Sequence, residues 1–187
     1  MSEHALTAWR AVLDFWFAEL APRDWFAGGA ALDSMIRQRF GGLVAAARSG
    51  ELDDWAASPR GRLALIVVLD QFSRNAFRGA PEAFAGDAKA QALASEGIAA
   101  GMDLALGVTE RQFFYMPLMH AEDGVLQALS LGKFSALRDE AQRTLAFARS
   151  HSDTVERFGR FPARNAALRR VSTPEEEAFL AEAARRG

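Results

Sequence analysis

One short polar segment directly follows the longest apolar run of the chain, Leu63–Leu69, and could form a binding site. Asp70 and Arg74 stand four residues apart, which is the spacing of an ion pair on one helical face. A carboxylate so close to an apolar run must be paired or hydrogen-bonded to keep its charge. One hypothesis is a site in which the arginines hold an anion, and the other is a buried structural network. The candidate ligand-binding residues here are Asp70, Gln71, Arg74, Asn75 and Arg78.

A second segment contains a histidine followed by two carboxylates. His120 and Asp123 are three residues apart and share a helical face with Gln127. A histidine oriented by a carboxylate can act as a general base, so His120, Asp123 and, less directly, Glu122 are the candidate catalytic residues. A packed histidine bonded to its neighbours and a pair of metal ligands are the alternatives. With three histidines in the chain and no zinc-binding motif, no metal is expected.

A third segment, Arg157–Asn165, alternates arginines with aromatic and turn residues. A loop lined by arginines can bind phosphate or carboxylate, which makes Arg160, Arg164 and Asn165 further candidate ligand-binding residues. This segment and the first one could converge on one ligand. Alternatively, its arginines pair with carboxylates of the other two segments. RNA binding is a further alternative, although no RNA-recognition motif is present.

The composition predicts the helices that must position these residues. The chain has 187 residues, with 38 alanines against 16 isoleucines, valines and threonines, which favours helix over sheet. This length suits a single domain spanning residues 1–187. The run Leu63–Leu69 is apolar on every side, so we predict a central helix surrounded by others. Because the run is short and partly β-branched, a buried strand is the alternative.

Capping and helix-breaking residues set the predicted helix boundaries. Pro22 should end the first helix, and a loop should begin at Asp24. Pro117 should kink or restart a helix that Gly132 then ends. Seven or eight helices in an antiparallel array result. They are predicted over 4–20, about 32–49, from Ser58-Pro59 through the apolar run, from a cap at Asp87 to about 100, from the capping box Thr109–Gln112 to 131, over about 135–151 with an extension to 158 as the alternative, and from the capping box Thr173–Glu176 to about 186.

Several classes of function are disfavoured or excluded. The absence of cysteine excludes disulfides, cysteine catalysis and iron–sulfur clusters. Phosphate-binding and dinucleotide-binding glycine loops and the nucleophile elbow are missing, so no cofactor is expected. A net charge of −2 gives no general attraction to nucleic acid. Since no signal peptide or membrane-length apolar run is found, we expect a cytoplasmic protein without membrane contact.

Three segments together resemble a bacterial family called domain of unknown function 924. They are Leu69–Gly79, Tyr115–Asp123 and Arg157–Asn165, and the similarity extends from Val12 to Glu176. The resemblance implies an all-helical fold similar to tetratricopeptide superhelices, and no established activity. Tyr115, which opens the second segment, joins the candidate ligand-binding residues.

One position departs from the family pattern and bears on the chemistry. Members usually carry histidine where this chain has Ala163, and serine where it has Ala121. The missing histidine lowers the expectation of metal catalysis and leaves the arginine hypothesis intact. We therefore predict a polar site for an anionic small molecule, in which His120 transfers a proton. A tetratricopeptide-like module that binds a protein or peptide partner without catalysis is the alternative.

Overall fold

A computed structural model describes the backbone of residues 3–186 and the side chains of residues 8–185. This part of the chain is all-α, with eight helices and no strand, which confirms the predicted fold class. The helices are α1 (Glu3–Asp14, extended by a π-helical turn Phe15–Glu19), α2 (Pro22–Ala27), α3 (Ala30–Ser49), α4 (Pro59–Ile66, continued by a π-helical segment Val67–Phe72 and a last turn Ser73–Ala76), α5 (Asp87–Ala99), α6 (Val108–Met119), α7 (Gly124–Phe158) and α8 (Pro174–Arg186).

The chain divides into two compact units, Met1–Leu137 and Arg138–Gly187. The first contains α1 to α6 and the beginning of α7, and the second contains the rest of α7 and α8. The organisation as a single domain and the likeness to a tetratricopeptide superhelix stay predictions. Across the described helices, none has the length and apolarity needed to pass through a membrane.

Helix α4 is the centre of the first unit. Every side chain of Leu63–Leu69 is fully buried, because α1, α3, α5 and α6 all pack against this helix. The predicted central helix is therefore confirmed, and the strand alternative is wrong. Three buried aromatic rings, those of Phe15, Phe40 and Phe72, meet beside it with centroid separations of 4.8–5.8 Å. This packing fixes the end of α4, from which the first polar segment continues.

Several predicted helix ends are confirmed by local hydrogen bonds. Ser58 caps α4, where its hydroxyl accepts from the Gly61 amide at 3.2 Å. Gly50 ends α3 with φ +93°, a left-handed conformation that glycine adopts readily. Thr173 and Glu176 form the reciprocal bonds of the predicted capping box at the start of α8, at 2.8 and 3.2 Å.

Other predicted boundaries are wrong. The loop expected from Asp24 is instead the short helix α2, since Pro22 begins a helix as readily as it ends one. The Gly107 amide donates to Glu110 at the start of α6, so this helix begins before the expected box at Thr109. Gly132 does not end a helix but lies inside α7, where the surrounding good helix formers outweigh the weak preference of one glycine.

Gly86, immediately before α5, makes a close backbone approach to the central helix. A Cβ placed on Gly86 would lie 2.6 Å from the carbonyl oxygen of Leu69, a distance that real contacts do not reach. The absence of a side chain therefore lets the start of α5 lie directly against α4. As a result, the first residue of α5, Asp87, faces the polar end of the central helix.

Candidate functional site

The first and second polar segments meet in the first unit. His120 follows α6, and its Nδ1 atom lies 2.8 Å from Oδ1 of Asp70 on α4. The Asp70 carboxylate is 1% exposed, whereas the His120 side chain is 26% exposed. An ionised carboxylate can only accept hydrogen bonds, so this geometry assigns the imidazole hydrogen to Nδ1. The pair couples a buried charge to a ring that solvent reaches.

A π-helical segment carries the buried member of this pair. Asp70 lies within Val67–Phe72, which interrupts the α-helical hydrogen-bond pattern of α4. Such segments are rare and occur frequently at functional sites. The same five-residue hydrogen bonding continues directly after this segment, where the Ser73 amide donates to the carbonyl of Val68. No local pattern among these residues predicts the distortion.

The Asp70 carboxylate has two further partners on its own helix, a hydrogen bond from Gln71 and an ion pair with Arg74. Gln71 donates its Nε2 to Oδ2 of Asp70, and Arg74 places Nη1 3.3 Å from Oδ1. The expected ion pair between Asp70 and Arg74 is thus present. Three side chains together hold this carboxylate, so its position does not depend on solvent.

Arg74 forms a second and closer ion pair, with Asp87 of α5. Its Nη1 and Nη2 atoms donate to the two Asp87 oxygens at 2.7 and 2.9 Å. Burial lowers the pKa of Arg74, but the hydrogen bonds to Asp87 and the charge of Asp70 outweigh that effect. The pKa of this guanidinium therefore lies above its ordinary value. Asp87 therefore accepts one hydrogen from each terminal nitrogen of Arg74, and the Asp70 carboxylate lies near enough to help balance its charge.

The turn that carries His120 is held by its own side chains. Asp123 accepts from the Leu126 amide at 2.9 Å and caps the start of α7. Gln127 donates to the carbonyls of Met119 and Ala121, both at 2.8 Å. The expectation that Asp123 orients His120 is corrected, because Asp70 bonds the ring and Asp123 caps the start of α7. The catalytic roles given to His120, Asp123 and Glu122 stay predictions.

Arg74, Asp87, His120 and Asp123 border a cleft of about 840 Å³ in the first unit. Most of its lining side chains are polar or charged, and one is an exposed aromatic ring. Among the residues the structure describes, no group of three or more His, Asp or Glu is arranged to hold a metal ion. The lining consists of Arg74, Phe84, Asp87, Ala88, Gln91, His120, Glu122 and Asp123.

Two candidates from the first segment are engaged away from the cleft. Arg78 binds Asp33 of α3 through two hydrogen bonds, at 2.6 and 2.9 Å. Asn75 accepts from Arg78 at 3.0 Å and donates to the carbonyl of Gln71 at 2.9 Å. Neither side chain lines the cleft, and the Arg78–Asp33 pair ties the segment after α4 to α3. Their contacts are those of the structural network that the sequence left open as the alternative.

Tyr115 belongs to a separate buried cluster. Its hydroxyl donates to Oδ2 of Asp103 at 2.6 Å, and the ammonium of Lys133 donates to the same atom at 2.8 Å. Burial raises the pKa of Asp103, but the hydrogen bonds from Lys133 and Tyr115 outweigh it, so its pKa lies below the ordinary value. Tyr115 does not line the cleft, and its binding role stays a prediction.

The third segment lies in the second unit, where acidic residues of α8 engage it. Arg160 donates to both oxygens of Glu176 at 2.7 and 2.9 Å, and Asn165 donates to the same carboxylate at 3.2 Å. These bonds, with the Thr173 amide, lower the pKa of Glu176 to about 2. Arg164 is exposed and lies over the Phe161 ring at 4.5 Å. Binding roles for Arg160, Arg164 and Asn165 stay predictions.

Sequence reasoning missed three residues that shape the cleft. Asp87 was expected to cap α5, yet it pairs with Arg74, thirteen residues earlier. Phe84 and Gln91 line the cleft, but neither belongs to a recognisable motif. The position of Asp87 in the first turn of a helix was a signal for this ion pair, because a carboxylate there can accept hydrogen bonds from an arginine. Its partner depends on the approach at Gly86, which no local pattern reveals.

The fold and the cleft define an all-α protein in which a buried aspartate pairs with a histidine at a polar cavity. The chain belongs to DUF924, a family of bacterial proteins of unknown function, whose model matches residues 12–184. It is similar to a solved protein of unknown function, ATU0120 from Agrobacterium tumefaciens, at 40% identity and a TM-score of 0.65. The match covers 95% of this chain and 99% of that one. No curated protein matches this chain.

Proposed function

We propose that this protein binds a polar small molecule in the cleft and transfers a proton through His120. The observation that carries the proposal is the 2.8 Å contact between His120 Nδ1 and Asp70 Oδ1 at the edge of a cavity of about 840 Å³. A cavity of this size suits a small organic molecule. A histidine that is paired with a buried carboxylate and reaches such a cavity is the usual arrangement of a general base.

The hydrogen-bonding pattern indicates which nitrogen would react. In the neutral ring, the hydrogen on Nδ1 faces Asp70, which leaves Nε2 with a free lone pair. Nε2 makes no hydrogen bond to another described residue, and the ring lines the cleft. It could therefore accept a proton from a bound molecule. The imidazolium so formed would be stabilised by the Asp70 carboxylate, as in other histidine–carboxylate pairs.

The neighbouring residues support this role by holding the pair in place. Gln71 and Arg74 hold the Asp70 carboxylate, and Gln127 holds the turn on which His120 stands. Preorganised groups of this kind avoid the cost of reorientation when charge develops. The alternative of a tetratricopeptide-like module for a peptide partner and the cytoplasmic location stay predictions. So does the anionic ligand that the sequence favoured, against which the carboxylates of the lining argue.

The test separates binding from conversion. The purified protein is incubated with a bacterial metabolite extract, and mass spectrometry follows which compounds are lost or formed. Ligand-observed NMR then measures whether these compounds bind. We expect at least one compound to be converted by the parent protein. His120→Asn should still bind this compound and fail to convert it, because Asn has the polarity but not the basicity of the ring.

The matched control is His151→Asn. His151 is an exposed histidine of the second unit that contacts the Phe147 carbonyl at 2.9 Å. This variant should convert the compound as the parent does. Conversion that survives in His120→Asn would refute the proton-transfer role. A parent protein that binds no compound of the extract at the cleft would refute the binding site itself.

A further inference from the structure

We infer that the ligand of the cleft is a small organic cation with a protonated amine. The inference rests on the proposed function, because it takes the cleft as the binding site and adds the charge of the molecule that fits it. It follows from which lining groups are already neutralised, and from an aromatic ring among them.

The charged groups of the lining leave an excess of negative charge. Arg74 is engaged by Asp87 at 2.7 and 2.9 Å and by the buried Asp70 at 3.3 Å. Two more carboxylates, those of Glu122 and Asp123, line the same cleft and are exposed. Neither forms an ion pair with any residue the structure describes, and Asp123 accepts one hydrogen bond, from a backbone amide. This excess of negative charge would repel an anion and attract a cation.

An exposed aromatic ring in the lining is a second and independent indication of a cation. Phe84 is 61% exposed although its ring borders the cleft. The face of an aromatic ring attracts cations, and Arg74 already lies over this ring with Cζ 5.4 Å from the centroid. Carboxylates together with an aromatic face recognise an alkylammonium group, in which charge adjoins apolar carbon. Gln91 and Nε2 of His120 add acceptors for the amine hydrogens.

The size of the cleft and its ligand set favour an organic cation over a metal ion. About 840 Å³ is far more than a bare ion fills, and it lies in the range of pockets for small organic molecules. The described residues also contain no cluster of three potential metal ligands. An amine on a carbon chain fits a cleft of this size.

The test compares three probes with the same four-carbon chain and different charge. They are 1,4-diaminobutane, 1,4-butanediol and butanedioate, each titrated at constant ionic strength. Two-dimensional NMR follows the amides that border the cleft, among them the Gln91 side chain. We expect the diamine to perturb these signals and to bind at least about tenfold more tightly than the diol or the dianion.

Two variants test which carboxylates are responsible. Glu122→Gln keeps the shape of the side chain and removes its charge, so it should weaken diamine binding about threefold, as expected for an exposed ion pair. The double variant Glu122→Gln with Asp123→Asn should weaken it further. Asp54→Asn removes one exposed charge from the same unit outside the cleft and should leave the affinity unchanged.

Two results would overturn the inference. One is a diamine that binds no better than the diol or the dianion, and the other is a diamine affinity that the double variant leaves unchanged. Failure of the inference is distinguishable from failure of the proposed function. If extract compounds still bind the cleft and need His120 for conversion, the charge of the ligand is wrong and the site stands. If no compound binds at the cleft, both proposals fall.

Discussion

Asp70 and His120 lie fifty residues apart in the chain, yet Oδ1 of the first and Nδ1 of the second are separated by 2.8 Å. The aspartate is at the end of the central helix and the histidine is in the turn after α6, so packing of these two helices creates the pair. A buried carboxylate and a half-buried ring in this relation fix the hydrogen on Nδ1. The chemistry of the cleft depends on that assignment.

The first prediction concerns the position of this hydrogen. In the parent protein, long-range proton–nitrogen NMR at alkaline pH should show neutral His120 with its hydrogen on Nδ1. In Asp70→Ala the acceptor is lost, so the preference for Nδ1 should disappear. Thermal unfolding followed by circular dichroism checks that this variant is folded, since Arg74 keeps Asp87 as its partner.

Asp123→Ala provides the control, because the sequence pointed to Asp123 as the partner of His120. This variant removes the cap of α7 and should lower the free energy of unfolding by about 1 kcal/mol. The hydrogen of His120 should stay on Nδ1. A change of tautomer in Asp123→Ala, together with none in Asp70→Ala, would contradict the observed pairing.

The second prediction is that Asp87 keeps anions out of the cleft. Its two oxygens accept hydrogen bonds from the two terminal nitrogens of Arg74. In Asp87→Asn the guanidinium regains donors that can face the cleft, and one negative charge is removed from the lining. Inorganic phosphate should then bind at least about tenfold more tightly than to the parent, as measured by calorimetry. Asp54→Asn, which lies outside the cleft, should bind phosphate no better than the parent does.

The third prediction assigns Tyr115 to stability. Tyr115→Phe removes the hydroxyl that donates to the buried carboxylate of Asp103 at 2.6 Å. Hydrogen bonds to charged groups contribute about 1.5–3 kcal/mol, so the free energy of unfolding should fall by that amount in urea titrations. Ligand binding at the cleft should be unchanged. Lost binding with unchanged stability would instead support the role that the family resemblance suggested for Tyr115.

Local sequence patterns predict most of the helices, but they predict only part of the candidate site. Leu63–Leu69 is apolar on every side, and such a run in an alanine-rich chain has one stable location, the centre of a helical bundle. The capping box at Thr173 is equally local. The prediction that Gly132 ends a helix was wrong, because the low helix propensity of one glycine is outweighed by the helix formers around it.

The partners of charged side chains depend on contacts distant in sequence. The i, i+4 spacing of Asp70 and Arg74 predicts their ion pair. No spacing predicts that Asp33 binds Arg78 across 45 residues, or that Asp70 rather than Asp123 bonds His120. Three arginines expected to hold a ligand, Arg74, Arg78 and Arg160, are engaged by carboxylates in this way. Sequence shows which groups need a partner, and packing decides which partner they obtain.

The fourth prediction tests the close approach at Gly86. Gly86→Ala would place a Cβ 2.6 Å from the Leu69 carbonyl oxygen, so α5 must move away from α4. The free energy of unfolding should fall by about 1–3 kcal/mol, and Asp87 should lose its alignment with Arg74. Gly132→Ala is the matched control, because nothing lies within 4 Å of its Cβ and the residue is inside a helix. It should raise stability by about 0.5–1 kcal/mol. Equal effects of the two substitutions would contradict the close approach.

The fifth prediction is a loss of structure at the start of α8 in acid. The Arg160 guanidinium, the Thr173 amide and Asn165 lower the pKa of Glu176 from its ordinary value of 4.5 to about 2. Because the folded pKa is the lower one, the bonds to this carboxylate contribute fully above pH 4.5. Their contribution is lost progressively as the pH falls from 4.5 toward 2.

Hydrogen exchange at the Thr173 amide measures this loss, since that amide donates to Glu176 at 2.8 Å. In the parent, its protection relative to the intrinsic exchange rate should decrease as the pH is lowered through this range. Glu176→Gln should show weak protection at every pH, because the neutral side chain cannot replace the charged acceptor. Glu177→Gln changes the adjacent exposed carboxylate and should retain the pH dependence of the parent. A dependence that persists in Glu176→Gln would mean that another group titrates at this helix start.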